Sequence, residues 1–396
     1  MSKKERVNAL ESVRKIVGCF LKNGALTPAY AGVNIENSAP SGVKYAAYST
    51  VAKRYFVCTQ SSISFSEDGR KFTEYGGYDF SSPFLVEDYI GGKATAAVIS
   101  GTTATVYLDG EMFFETMQEN LKCGVLHCGR IFGANGLKLC WSGTNGVNDW
   151  GAGIGRSGNL KLDPKRGEVL DMIVFGGKIV AVREYGLTVL SMYGSPENFS
   201  VDITDTDCDK VCKSTSRIIG GKLYFYSATG LKCFDGSKIS RIECGRAVSD
   251  AHGAADYEGR YFLACRSEEL NREVILCVEV DSGESCIIDE RADALFTAEG
   301  VHFFNGGGHK KLERGGEFSF ESGDIDFGTD RYKTVVKIEV SGKADLRISN
   351  EKYTRFFGGV SGTVKPHMRG KNFKIQAAGS GEVQGIFITA EVTDAV

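Results

Sequence analysis

The chain has 396 residues, a formal net charge of −3 and 24% charged residues, so it carries no global positive field and nucleic-acid binding is not its main task. Glycine is abundant at 50 residues, proline scarce at 6, and aromatic residues make up 11%, a composition suited to short strands joined by tight turns. Twelve cysteines are too dilute for a small disulfide scaffold, and a chain of this length buries roughly 75% of its unfolded surface, enough to fold without bridges or metal.

At the N-terminus Lys3, Lys4, Glu5 and Arg6 precede an apolar pattern interrupted by charge, which is not a secretory signal. No apolar run approaches the roughly 20 residues of a membrane span, so a soluble protein made in a cytoplasm, with no membrane insertion, is expected. Ser2 and Glu5 match a capping box ahead of Val7, Leu10, Val13, Ile16, Val17, Phe20 and Leu21, which predicts a short amphipathic helix over residues 1–24. Val13, Val17, Phe20 and Leu21 on its stripe are candidate interaction residues.

From there to about residue 320 the chain repeats. A glycine-containing turn followed by a β-branched or aromatic run recurs at positions 92, 129, 177, 221, 259 and 300, with a degenerate member, Val51-Ala52-Lys53-Arg54, at 53; the steps are 39, 37, 48, 44, 38 and 41 residues. That is the pitch of a four-stranded propeller blade. Residues 214–244 show the layout: a strand over 216–219, a Gly220-Gly221 turn, strands over 223–227 and 230–234, an Asp235-Gly236 turn and a strand over 239–244. Gly-Gly and Asp-Gly supply the positive φ that two-residue hairpin turns require. The fold class expected is all-β: a propeller of about seven four-stranded blades over 25–320, with six blades and one irregular unit as the alternative. The segment from Ala25 to Ile35 is available to close the ring with a strand in the last blade. Beyond Gly323 the period fails and longer strands follow, with Val335, Ile338 and Val340 patterned for a sheet with one wet face. A separate β-sandwich, jelly-roll-like, is assigned to 321–396.

Residues that carry chemistry are sparse. Cys58, Cys140, Cys265 and Cys277 lie in apolar runs, where a reduced thiol acts as a small hydrophobe. Cys123 and Cys128 with His127 between them, and Cys208 with Cys212, have metal-like spacing but no second pair, so no metal site is assigned. The five histidines, at 127, 252, 302, 309 and 367, are scattered. Asp171, Glu184, Asp256 and Glu299 are the acids from which a glycosidase pair would be drawn, but spacing alone does not make them converge. Neither the string from Gly143 to Gly146 nor that from Gly151 to Gly155 matches a nucleophile elbow or a dinucleotide loop. No catalytic residue and no cofactor is assigned, and the chain is expected not to be an enzyme.

Two stretches carry resemblances. Ser66-Glu67-Asp68-Gly69-Arg70-Lys71-Phe72 resembles the Asp-box hairpin of sialidase-like propellers, with glycine one place early and Phe for Trp; in that family the box is a structural turn. The run from Cys140 to Trp150 holds both tryptophans, Trp141 and Trp150, in a polar loop, and the strand pair over 173–182 follows it. Together they resemble the tail-hub and nozzle propellers of short-tailed phages, the packaged-DNA stabilisation proteins, over residues 120–200. The resemblance implies a virion structural protein of the tail that contacts other tail or neck proteins. It also implies a homo-oligomeric ring, six copies being the expectation, and indirect contact with DNA in a tail channel. Trp141 and Trp150 join the candidate interaction residues, beside the bland reading that they plug the core between blades. The alternatives are a receptor- or carbohydrate-binding propeller using Tyr75, Tyr78 and Phe80, and a sialidase-like glycosidase.

Overall fold

The computed structural model describes residues 3–36, 38–90, 93–108, 110–144, 149–151, 156–202 and 206–392. Ser2, Gly91, Gly92, the stretch 145–148 and the stretch 152–155 lie outside the described residues. Among the described residues seven small antiparallel sheets form a closed propeller, and one larger sheet forms a second, barrel-like β-sandwich.

Each blade is an up-and-down sheet whose first strand is innermost. The first strands are Tyr45–Ser49, Phe84–Ile90, Cys123–His127, Val169–Phe175, Arg217–Ile219, Val248–Tyr257 and Ala294–Ala298, for blades 1 to 7. In six blades the repeated turn joins the first to the second strand; that of blade 2, Gly91-Gly92, lies outside the described residues. At Cys128-Gly129, Gly176-Gly177, Gly220-Gly221 and Glu258-Gly259 both residues have positive φ, between 49° and 75°. This is the backbone whose twist matches that of the strands it joins. In blade 2 a long run, Lys93–Leu108, pairs with Phe84–Ile90 along its first half and with Glu111–Leu121 along its second, changing partner at Gly101 (φ +62°). Ring closure comes from Tyr30–Glu36, which pairs with the third strand of blade 7, Arg314 opposite Tyr30 and Leu312 opposite Gly32. The segment picked out from sequence thus supplies the closing strand.

The strands read as almost continuous apolar runs because both faces of each blade are buried. In blade 5, Tyr224 and Tyr226 pack toward blade 6, while Leu223 and Phe225 pack toward blade 4. In blade 6, Tyr261, Leu263 and Cys265 face blade 5 and Phe262 and Ala264 face blade 7. Seven such clusters, one per neighbouring pair of blades, complete the circle. Each buried Leu or Phe side chain adds roughly 1.5–3 kcal/mol by leaving water.

The N-terminal helix expected over 1–24 is not formed; among the described residues 3–22 form strands, interrupted by one 3-10 turn at Ala9–Glu11. Lys3–Asn8 pairs with Val383–Val392, Val13–Val17 pairs with Phe318–Ser322, and Cys19–Lys22 forms a hairpin with Ala25–Pro28. The apolar spacing that resembles a helical stripe has another cause, visible in the alternation of one strand: Cys19 and Leu21 pack into the sandwich core, and Phe20 between them packs into the interface of blades 6 and 7. Edge strands of the sandwich would otherwise be unpaired, and strand pairing satisfies their backbone groups as a helix could not. The sandwich is organised by one strand, Lys333–Ser349, which pairs with Val383–Val392 along its first part and with Lys374–Gly379 along its last. Between these parts Gly342 has φ +127°, and a Cβ there would stand 2.4 Å from the carbonyl of Glu382.

Candidate functional site

The first strands of the blades surround an axial cavity of ≈ 380 Å³, lined by residues of all seven blades. Among them are Lys44, Tyr45, Lys122, Asp171, Lys213, Arg217, His252, Asp256 and Asp293. The lining gathers the starts of the first strands at one mouth, with Lys44, Lys122 and Asp293 immediately ahead of those of blades 1, 3 and 7 and Lys213 four residues ahead of that of blade 5.

The acids of the cavity are already occupied. Asp293 accepts from Arg291 at 2.8 and 2.9 Å and from the backbone N–H of Gly306 at 2.9 Å. Asp256 accepts from the Thr297 hydroxyl at 3.2 Å. Asp171 accepts from the Met172 N–H at 2.8 Å; burial raises its pKa, and the Arg217 guanidinium pulls against that rise. Arg217 itself donates to the carbonyls of Ser216 and Ala254. Burial likewise pushes the Tyr45 phenol upward. His252 is fixed by the carbonyls of Asp250 at 2.8 Å and Ala292 at 3.0 Å. Of the four acids considered for a glycosidase pair, the fold brings Asp171 and Asp256 to this cavity and leaves Glu184 and Glu299 outside its lining. Glu184 instead accepts from the backbone N–H of Glu168.

The candidate interaction residues are mostly interior. Val17 and Phe20 are buried and Leu21 packs against the sandwich core; Val13 alone is exposed, at 40%. Trp150 is buried between blades 2 and 3, and Trp141 packs between blades 3 and 4, edge-on to Phe199 at 5.3 Å. The core-plug reading of both tryptophans therefore holds. Gly158, opposite Trp141, has no room for a Cβ, which would fall 2.4 Å from the indole ring. Arg130 donates to the carbonyls of Ser142 and Arg156 at 2.8 and 3.0 Å. Of the aromatic residues considered for receptor contact, Phe80 is fully buried, Tyr75 stacks on Phe65, and Tyr78 stacks on Phe114 at 4.0 Å. The Asp-box-like turn is structural: Asp68 caps the N–H groups of Arg70 and Lys71, which hold its carboxyl below the usual range. The Gly69 carbonyl accepts from His309 of blade 7 at 2.7 Å.

Sequence reading missed Lys44, Lys122, Lys213 and Arg217, and named His252 only among five scattered histidines. The signal available was positional, since Lys44 and Lys122 stand immediately ahead of first strands and Lys213 four residues ahead of one, in alternate blades. Among the described residues no cluster of His, Cys, Asp and Glu is arranged to hold a metal ion, and no helix is long and apolar enough to cross a membrane.

The chain is thus a seven-bladed β-propeller carrying a β-sandwich. No protein-family model and no curated protein matches it. It is similar in fold to the extracellular domain assigned to a one-component system of B. thetaiotaomicron, at 10% identity and TM-score 0.50, over 88% of this chain and 57% of that one. PorZ, a bacterial surface component of the type-IX secretion system of Porphyromonas gingivalis, aligns over 85% of this chain and 56% of its own at 8% identity and TM-score 0.48. The WD40 domain of Neurospora crassa Pan2 aligns over 71% and 94% at 10% identity and TM-score 0.44. The chain spans a little over half the length of the first two of these. At such identities the likeness concerns fold alone.

Proposed function

We propose that this chain is a non-catalytic structural propeller, a component of a phage tail that acts as a hub, nozzle or other assembly scaffold in the virion. In this reading it forms a homo-oligomer, six copies being the expectation, that meets other tail or neck proteins. The observation that carries the scaffold reading is the path of residues 3–36. They supply strands to the sandwich, send Phe20 into the propeller core and then close the ring as the last strand of blade 7. Gly18 and Lys22 add a hydrogen bond to Ile287 at 2.7 Å and ion pairs to Glu279 and Glu284 at 2.7 and 3.2 Å. The two units are stitched together rather than linked by a flexible tether, as suits a part that transmits load. The resemblance of residues 120–200 to tail propellers supports the placement in a tail.

The same path revises which segments reach neighbours. The strands of residues 3–28 are committed to the chain's own sheets and cores, so contacts fall to surface loops and to the outer face of the sandwich, where Tyr353 and Phe356 are 67% and 63% exposed. Native mass spectrometry of the purified protein tests the reading together with a glycan-hydrolysis panel. A closed oligomer without hydrolysis is expected. A monomer at all concentrations that cleaves a glycan at enzyme-like rates would overturn it.

A further inference from the structure

The lining of the axial cavity has an excess of positive charge: Lys44, Lys122, Lys213 and Arg217 face Asp171, Asp256 and Asp293, the last of them paired with Arg291. Lys44, Lys122 and Lys213 are exposed, line the cavity and come from blades 1, 3 and 5, so they approach the axis from three sides. Among the described residues none of the three lies within ion-pair distance of a carboxylate. Of the nearby acids, Asp293 is paired with Arg291, Asp256 accepts from the Thr297 hydroxyl, and Asp171 lies in the field of Arg217 and, to a lesser degree, Lys213. The mouth is also narrow. Lys213 reaches Ser82, just ahead of the first strand of blade 2, at 3.4 Å, and blades 2 and 5 stand on opposite sides of a seven-membered ring.

We propose that Lys44, Lys122 and Lys213 form a binding site for the phosphoryl group of a small phosphorylated molecule, whose remainder enters the axial cavity. The argument rests on charge, symmetry and size. An ammonium group is a compact point charge with three donors and no preferred plane, so lysines converging from three sides match a tetrahedral oxyanion better than a planar carboxylate, which a guanidinium fork serves. Arg217, the guanidinium of the cavity, is already engaged by the Ser216 and Ala254 carbonyls. A cavity of ≈ 380 Å³ falls within the range of small-ligand sites, about 300–1,000 Å³, and has room for a sugar-sized body but not for a polymer. Low-dielectric walls around the mouth strengthen its field. The inference is independent of the tail assignment, since a scaffold and a free binding propeller can both carry such a site.

The test is isothermal titration calorimetry of the full chain at low salt with glucose 6-phosphate, glucose and pyrophosphate. Glucose 6-phosphate is expected to bind and glucose is not. The triple variant Lys44→Gln/Lys122→Gln/Lys213→Gln should bind glucose 6-phosphate roughly a thousandfold more weakly, since each of the three charge-assisted hydrogen bonds lost is worth roughly tenfold. Its thermal unfolding should be unchanged, because all three side chains are exposed. Pyrophosphate binding as tightly as glucose 6-phosphate would assign the site to free phosphates, and weaker binding would assign it to organic ones; either supports the site. Failure of both phosphates to bind, equal binding of glucose, undiminished affinity of the folded triple variant, or a preference for a single-stranded oligonucleotide over both small phosphates would each overturn it.

Discussion

Acidification should weaken the propeller through one buried histidine pair, and replacing His302 should remove much of that weakness. His309 donates from Nδ1 to the Gly69 carbonyl at 2.7 Å, so its Nε2 accepts from His302 Nδ1 at 3.1 Å. His302 Nε2 is then a buried lone pair with no partner, enclosed with Tyr55 and Phe296 at 5.7 Å. Burial, with the neighbouring His309 charge, pushes the His302 pKa down to about 3, and burial lowers His309 as well. An unfolded histidine titrates near 6.5, so between about 6.5 and 3 the unfolded chain binds a proton that folded His302 refuses. Stability is therefore intact above about pH 6.5 and is lost as pH falls toward 3. At pH 5 the loss from His302 is about 2 kcal/mol, at about 1.4 kcal/mol per pH unit. Urea unfolding of the wild type and His302→Phe at pH 7 and pH 5 measures it: the variant's drop between the two should be smaller by about 2 kcal/mol. Equal drops would refute the assignment of a neutral, proton-refusing His302.

Other consequences follow from the stitched N-terminus and the thiols. Phe20→Ala should cost about 3–5 kcal/mol in the same urea assay, the usual range for emptying a buried Phe site; a loss below 1 kcal/mol would mean that the strand does not enter the propeller core. Gly18→Ala should be destabilising by about 1–3 kcal/mol or more, because φ is +76° and the added Cβ would stand 2.3 Å from the Glu317 carbonyl, and circular dichroism melting would show it. Denatured, unreduced protein should titrate twelve thiols, and native protein should react first at Cys128, the one fully exposed cysteine among the described residues. Burial holds Cys19, Cys123 and Cys265 up at about 12 and hence unreactive at neutral pH; Cys128→Ser should remove the fast phase.

The propeller was legible in sequence because its signals are local. A two-residue turn needs positive φ, and Gly176-Gly177 or Gly220-Gly221 announce it wherever they stand. Strands buried on both faces announce themselves by apolar runs such as 223–226. The N-terminus was misread because its determinants are remote: Lys3–Asn8 finds its partner in Val383–Val392, at the other end of the chain. Within a window of twenty residues Val13, Ile16, Val17 and Phe20 satisfy a helical spacing as well as they satisfy a strand shared between two cores. The tryptophans stood out by composition, yet the inter-blade packing that uses them is a property of blades brought together only by ring closure. The cavity lysines were hidden for the opposite reason, since an exposed lysine ahead of a strand looks like any solvated residue until the ring places it on the axis.

The tail assignment is tested most directly by immunogold electron microscopy of purified phage particles from the producing culture, using antibody raised against the sandwich face around Tyr353 and Phe356. The account predicts gold at the tail of each particle, with the chain present at a fixed copy number in the particle's protein profile. Particles free of both label and chain, with the protein recovered only from the soluble fraction, would contradict it.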